Sequence, residues 1–357
     1  MRGLTGAAEL ARVYDAVFDA RFDEVPALRA AACPPAPAEA CEVLDAVAIW
    51  WRIRIDPHNT ARDAAFRSQV EAAIAATSTW ARREPQRAEA WFYLGGAYAA
   101  RVEWQVLRGH HLAAARDGGR IRQALERAVA LDPGLTDAYF GLGLYRYYAD
   151  VGPRVLQMLR WLLLLPGGDR ARGLEEMLRA REAGQLLRSE ADYQLHLIYV
   201  WYEQQPARAL DLLGELQSRH PRNPHFRQAT AEILDFSIDD TDASLRTWTA
   251  LLEAARRGDV EQPELAAASA RLGIASQLQQ LSQGEAALEH LHAVIAAKPA
   301  APFAAVARAQ LQLGQVLQSL GRRADAIAAY EAASAAARPP DPLRIRASAR
   351  AALRTLR

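Results

Sequence analysis

The chain has 357 residues, 43 basic and 42 acidic side chains, a formal net charge of +1 and no basic tract of five or more. That balance excludes the electrostatic footprint of a nucleic-acid binder, and no apolar run reaches the roughly 20 residues of a membrane span. Alanine, leucine and arginine dominate while β-branched residues are sparse, which points to an all-α protein.

From Thr5 to Ala32 two short helices are expected, the first striped by Leu10, Tyr14, Val17 and Phe18, the second opened by Pro26. Cys33 and Cys41 then flank Pro-Pro-Ala-Pro-Ala-Glu-Ala, a spacing that fits no CxxC redox or zinc pattern. As an isolated pair across one proline-rich connection they are disulfide candidates, which would imply an oxidising compartment; free thiols are the other reading. Glu39 to Ile55 is a strongly apolar helix carrying Trp50 and Trp51 and ended by Asp56-Pro57, and Thr60 to Arg83 is a polar-faced helix with Phe66, Val70, Ile74 and Trp80.

Ala88 to Pro133 reads as a long helix pair, and Thr136 to Ala183 as a second pair interrupted by an apolar segment. Thr136 or Asp137 is placed to cap the first helix of that second pair. Gly141 and Gly143 each cost up to about 1 kcal/mol against alanine, so they mark the close approach of a neighbour. Val155 to Leu165 is mostly apolar but too short to span a bilayer; it reads as a buried or lid-like helix, or else as an exposed helix that docks on a membrane or partner. Leu165-Pro-Gly-Gly-Asp169 ends it, with Asp169 set to cap the helix that follows. Further pairs are expected over 189–220, 223–257, 264–298 and 310–339, with an arginine-rich capping helix over 341–357.

Catalytic and cofactor motifs are missing from the sequence. His110 with His111, and His290 with His292, lack the i, i+4 spacing of a helical zinc site, and no phosphate loop, nucleophile elbow or dinucleotide fingerprint occurs. No cofactor, no metal and no enzymatic activity are therefore expected.

Trp91, Leu94, Gly95 and Tyr98, followed by Ala128 and Pro133, reproduce the W-x-x-L-G-x-x-Y pattern of a tetratricopeptide repeat. Leu313, Gly314, Leu317, Gly321, Ala326, Tyr330 and Ala333 fit it again near the C-terminus. On these residues the chain resembles the tetratricopeptide family. The first and last signature positions of an ideal repeat lie about 23 residues apart. Here Trp91 to Ala128 is 37 and Tyr139 to Ala180 is 41, which implies two insertions, one around Trp104 to Gly119 and one at the apolar run. The middle of the chain, with its FGLGLYRYY, PGGDRARGL and EADYQLHLIYVWYE runs, resembles bacterial exported tetratricopeptide proteins and, more distantly, the eukaryotic inclusion-body-clearance tetratricopeptide family.

The resemblance implies a right-handed superhelical solenoid of helix pairs with two insertions. It would be one array over 1–357, divided into degenerate pairs at 1–83, repeats at 88–133, 136–183 and 189–339, and a cap at 341–357. It also implies a non-catalytic scaffold that binds a protein or peptide in its concave groove. Carried over position by position, that groove takes Phe92, Asp137, Leu144, Tyr147, Tyr148, Gln194, Ile198, Trp201 and Tyr202, an aromatic centre suited to a peptide or helix. The alternative is a membrane-surface or lipid-associated protein using helix 155–165. The exported relatives suggest a periplasmic or exported bacterial location, with the cytoplasm as the alternative. Met1 to Leu10 holds no apolar signal core, so export would require a signal segment removed or lying upstream.

Overall fold

The computed structural model describes residues 3–151 and 167–356. Among these residues the protein is entirely helical, with seventeen α-helices and no strand. Within each of its two compact units, consecutive helices pack on one another in chain order, as in a tetratricopeptide-like solenoid. The chain divides into two compact units, Met1–Gln205 and Pro206–Arg357. No helix among the described residues is long and apolar enough to cross a membrane. The apolar run Val155 to Leu165 lies outside the described residues.

The first unit runs α1 (Ala7–Phe18), α2 (Val25–Ala32), α3 (Ala38–Ile55), α4 (Asp63–Arg83), α5 (Ala88–Leu107), α6 (His111–Leu131), α7 (Ala138–Val151), α8 (Arg170–Ala183) and α9 (Arg188–Trp201). The extra residues around Trp104 to Gly119 lengthen the pair, α5 having 20 residues and α6 having 21. Cys33 and Cys41 are joined as a disulfide across the connection between α2 and α3, with Cα atoms 6.6 Å apart.

Two sequence features explain how the middle pair packs so closely. Gly143 of α7 and Gly173 of α8 face each other, and a Cβ on Gly143 would stand 2.5 Å from the Gly173 carbonyl oxygen. Asp169 caps α8, its carboxylate accepting from the Arg172 N–H at 3.0 Å. Asp137 does not cap its own helix as expected. Its two oxygens accept the backbone N–H groups of Gln185, Leu186 and Leu187 at 2.7–2.9 Å, so it closes the turn before α9 instead.

The second unit comprises α10 (Pro206–Arg219), α11 (Pro224–Phe236), α12 (Thr241–Arg257), α13 (Pro263–Gln280), α14 (Gly284–Ala297), α15 (Ala305–Ser319), α16 (Arg323–Ala336) and α17 (Ile345–Leu356). Large rings pack over glycines here: the Trp248 indole lies over Gly273, and the Tyr330 ring lies over Gly314. The last helix covers the stack with Ile345 and Ala349, and Asp341 holds its start by accepting from the Ile345 and Arg346 N–H groups.

Candidate interaction surface

The predicted groove residues fall into two groups. Phe92, Asp137, Tyr147, Gln194 and Ile198 are all at least nine-tenths buried. Their side chains are closed off from solvent, unlike the open groove expected at these positions. Part of the packing comes from early helices: the Trp51 ring on α3 meets Tyr193 on α9 edge to face at 5.0 Å and Phe18 on α1 at 4.4 Å. Residues before α1 add contacts: Thr5 donates through both its backbone N–H and its hydroxyl to Glu89, and the Leu4 N–H donates to Gln185.

Leu144, Tyr148, Trp201 and Tyr202 form the second group. Trp201 is 62% exposed and Tyr202 37%, while Leu144 and Tyr148 are half-buried. The Tyr147, Tyr148 and Tyr202 rings form a mutually edge-on triangle, with centroids 5.4–6.0 Å apart. Its geometry is fixed from beneath. The Tyr147 hydroxyl donates to Glu203, and Arg170, at the start of α8, donates to the same carboxylate through Nε at 2.8 Å. Arg170 holds the Glu203 carboxyl below the usual carboxylate range. Burial and Glu203 push the Tyr147 phenol up, and burial does the same for Tyr148 and Tyr202. These three tyrosines therefore stay neutral and offer ring faces, edges and hydroxyl groups.

Behind Tyr148 lies a cluster absent from the sequence reading. Glu103 of α5 accepts from Trp50 Nε1 and Arg54 Nη2 of α3, each at 2.6 Å, and from Gln194 Nε2 of α9 at 2.8 Å. Gln194 Nε2 also lies 3.4 Å from a Glu190 oxygen, and Arg54 Nη1 lies 3.7 Å from that carboxylate. Arg54 stacks over Trp50, Trp51 and Tyr193, with its guanidinium carbon 4.3 Å from the Tyr193 centroid. The available signal was a charge flanked by apolar residues: Arg54 sits between Ile53 and Ile55, and Glu103 between Val102 and Trp104. Among the described residues no group of three or more histidine, cysteine or carboxylate side chains is arranged to hold a metal.

No family model matches the sequence, and no characterised protein matches it. Solved structures with similar coordinates include yeast Tom70, at 15% identity and a TM-score of 0.45 over 89% of this chain and 64% of that one. The APC/C hetero-tetramer Cut9–Hcn1 matches at 12% identity and 0.45 over 88% of this chain and 52% of that one. NprR in complex with its cognate peptide NprX matches at 9% identity and 0.42 over 98% and 82%. The chain spans less than two thirds of the first two proteins.

Proposed function

We propose that the protein is a non-catalytic interaction scaffold whose first unit presents Tyr148, Trp201 and Tyr202 to a protein or peptide partner. The observation that carries this reading is Trp201, 62% exposed beside a tyrosine triangle that is itself held by Glu203 and Arg170. A rigid aromatic platform supplies apolar area at low entropy cost, and its hydroxyls orient a bound backbone. An extended peptide or an amphipathic helix suits it. The test replaces Tyr148 and Trp201 together with alanine: helicity by circular dichroism stays near wild type while partner capture is lost, and retained capture counts against the reading.

A second reading, attachment to a membrane surface, is favoured by a separate observation. Val106, Leu107 and Leu112 are 38–50% exposed at the turn between α5 and α6, beside exposed His110, His111 and Arg116. Sedimentation with anionic and neutral vesicles tests it, and no sedimentation with either sinks it. The Cys33–Cys41 disulfide supports placing the protein in an oxidising compartment, periplasmic or exported.

A further inference from the structure

Glu103 and Glu190 differ in how their charges are met. Glu103 receives three donors within 2.8 Å, from Trp50, Arg54 and Gln194. Glu190 is met more weakly, by a long contact from Gln194 at 3.4 Å and by the Trp51 side chain, and its approach to Arg54 is 3.7 Å, beyond hydrogen-bond length. One side-chain amide thus bridges both carboxylates, and a single guanidinium serves two acids inside the fold. The groups facing Glu190 are Tyr14 from α1, Arg54 and Trp51 from α3, Glu103 from α5, and Gln194 on α9 itself; Asp137, just before α7, also faces Tyr14. Arg54 is the only cation among them.

We propose that Glu103 and Glu190, set against the one guanidinium of Arg54, form a proton-operated latch that ties α9 to α3 and α5. With a proton on Glu190 the cluster is neutral, since Arg54 balances Glu103. With both acids ionised it carries one uncompensated negative charge in a buried site. Burial first, and Glu103 second, push the Glu190 carboxyl up to about 7, so the change falls near neutrality. Opening of α9 returns Glu190 to its ordinary value of 4.5. Between these two values each rise of one pH unit favours the open form about tenfold, and the effect saturates above the upper one. Tyr148 lies against the latch and Trp201 ends the latched helix, so the latch would regulate the proposed partner surface. That use rests on the scaffold reading, but the latch itself is read without a partner.

Hydrogen–deuterium exchange on the full chain at pH 5 and pH 8, corrected for intrinsic exchange, tests it, with α13 of the second unit as internal reference. Wild-type α9 is expected to open on the order of 100-fold more at pH 8 than at pH 5, while Glu190→Gln stays protected at both. A wild-type α9 whose opening does not change with pH overturns the proposal, as does an equal response in Glu190→Gln. Failure of partner capture with an intact pH response would instead overturn only the scaffold reading.

Discussion

The Trp51 indole on α3 meets the Tyr193 ring on α9 edge to face, 5.0 Å between centroids, although the two residues belong to opposite ends of the first unit's helix order. Both rings are buried, and Arg54 stacks on both. This contact makes α3 and α9 share one buried aromatic core. Trp51→Ala is therefore expected to destabilise the first unit by about 3–5 kcal/mol, as truncation of buried aromatics does. Urea denaturation followed by circular dichroism measures it, and a loss under about 1 kcal/mol would contradict the packing account.

The α7–α8 crossing makes a sterically sharper prediction. A Cβ at Gly143 would stand 2.5 Å from the Gly173 carbonyl oxygen and one at Gly173 would stand 2.7 Å from the Gly143 oxygen, while one at Gly214 in α10 meets nothing within 4 Å. Gly143→Ala and Gly173→Ala should each cost at least about 1–3 kcal/mol because backbone must move. Gly214→Ala, in an open helix interior, should gain about 0.5–1 kcal/mol. Thermal denaturation of the three variants side by side decides, and equal shifts in all three would argue against the close crossing.

Asp137 illustrates a groove position taken over by the scaffold. Its carboxylate satisfies three backbone N–H groups ahead of α9. Removing it leaves those donors short of acceptors, so Asp137→Ala should cost about 2–4 kcal/mol. Asp137→Asn, which keeps an acceptor, should cost less. If the alanine variant kept wild-type stability yet lost partner capture, Asp137 would belong to the binding surface after all.

The pH dependence has a defined sign. Glu190 is raised by burial and by Glu103 from 4.5 to about 7, so its contribution to stability is full below 4.5 and is lost as pH rises through 7. The loss is about 3 kcal/mol. Glu203, lowered by Arg170, acts oppositely: its contribution is present above its unfolded value and disappears on acidification. Glu190→Gln should therefore be more stable than wild type at pH 8 and lose that advantage towards pH 4.5, read from denaturation midpoints at both pH values. A constant difference across that range would remove Glu190 as the cause.

The helices were legible because apolar spacing, proline openings and glycine ends are local signals. Pro26 opens α2, Asp169 caps α8, and Gly143 marks a close crossing, each as its chemistry implied. Tyr147, Tyr148 and Tyr202, which the repeat register groups, lie with ring centroids 5.4–6.0 Å apart. What the register could not supply was the cover. Register names the face on which Gln194 lies, but its burial depends on distant partners such as Glu103 of α5, 91 residues earlier in the chain. The Arg54 cluster escaped because it is assembled from three separate helices, α3, α5 and α9, and its cross-helix contacts leave no local signal.

The most direct test of the scaffold account replaces Trp201 with a benzophenone-bearing phenylalanine and irradiates it in extract of the native host, with Arg350 in the C-terminal cap as the control position. The account predicts one dominant protein adduct at position 201, absent at 350 and lost when Tyr148 and Tyr202 are both changed to alanine. Adducts of equal pattern at both positions, or only intramolecular adducts at 201, would contradict it.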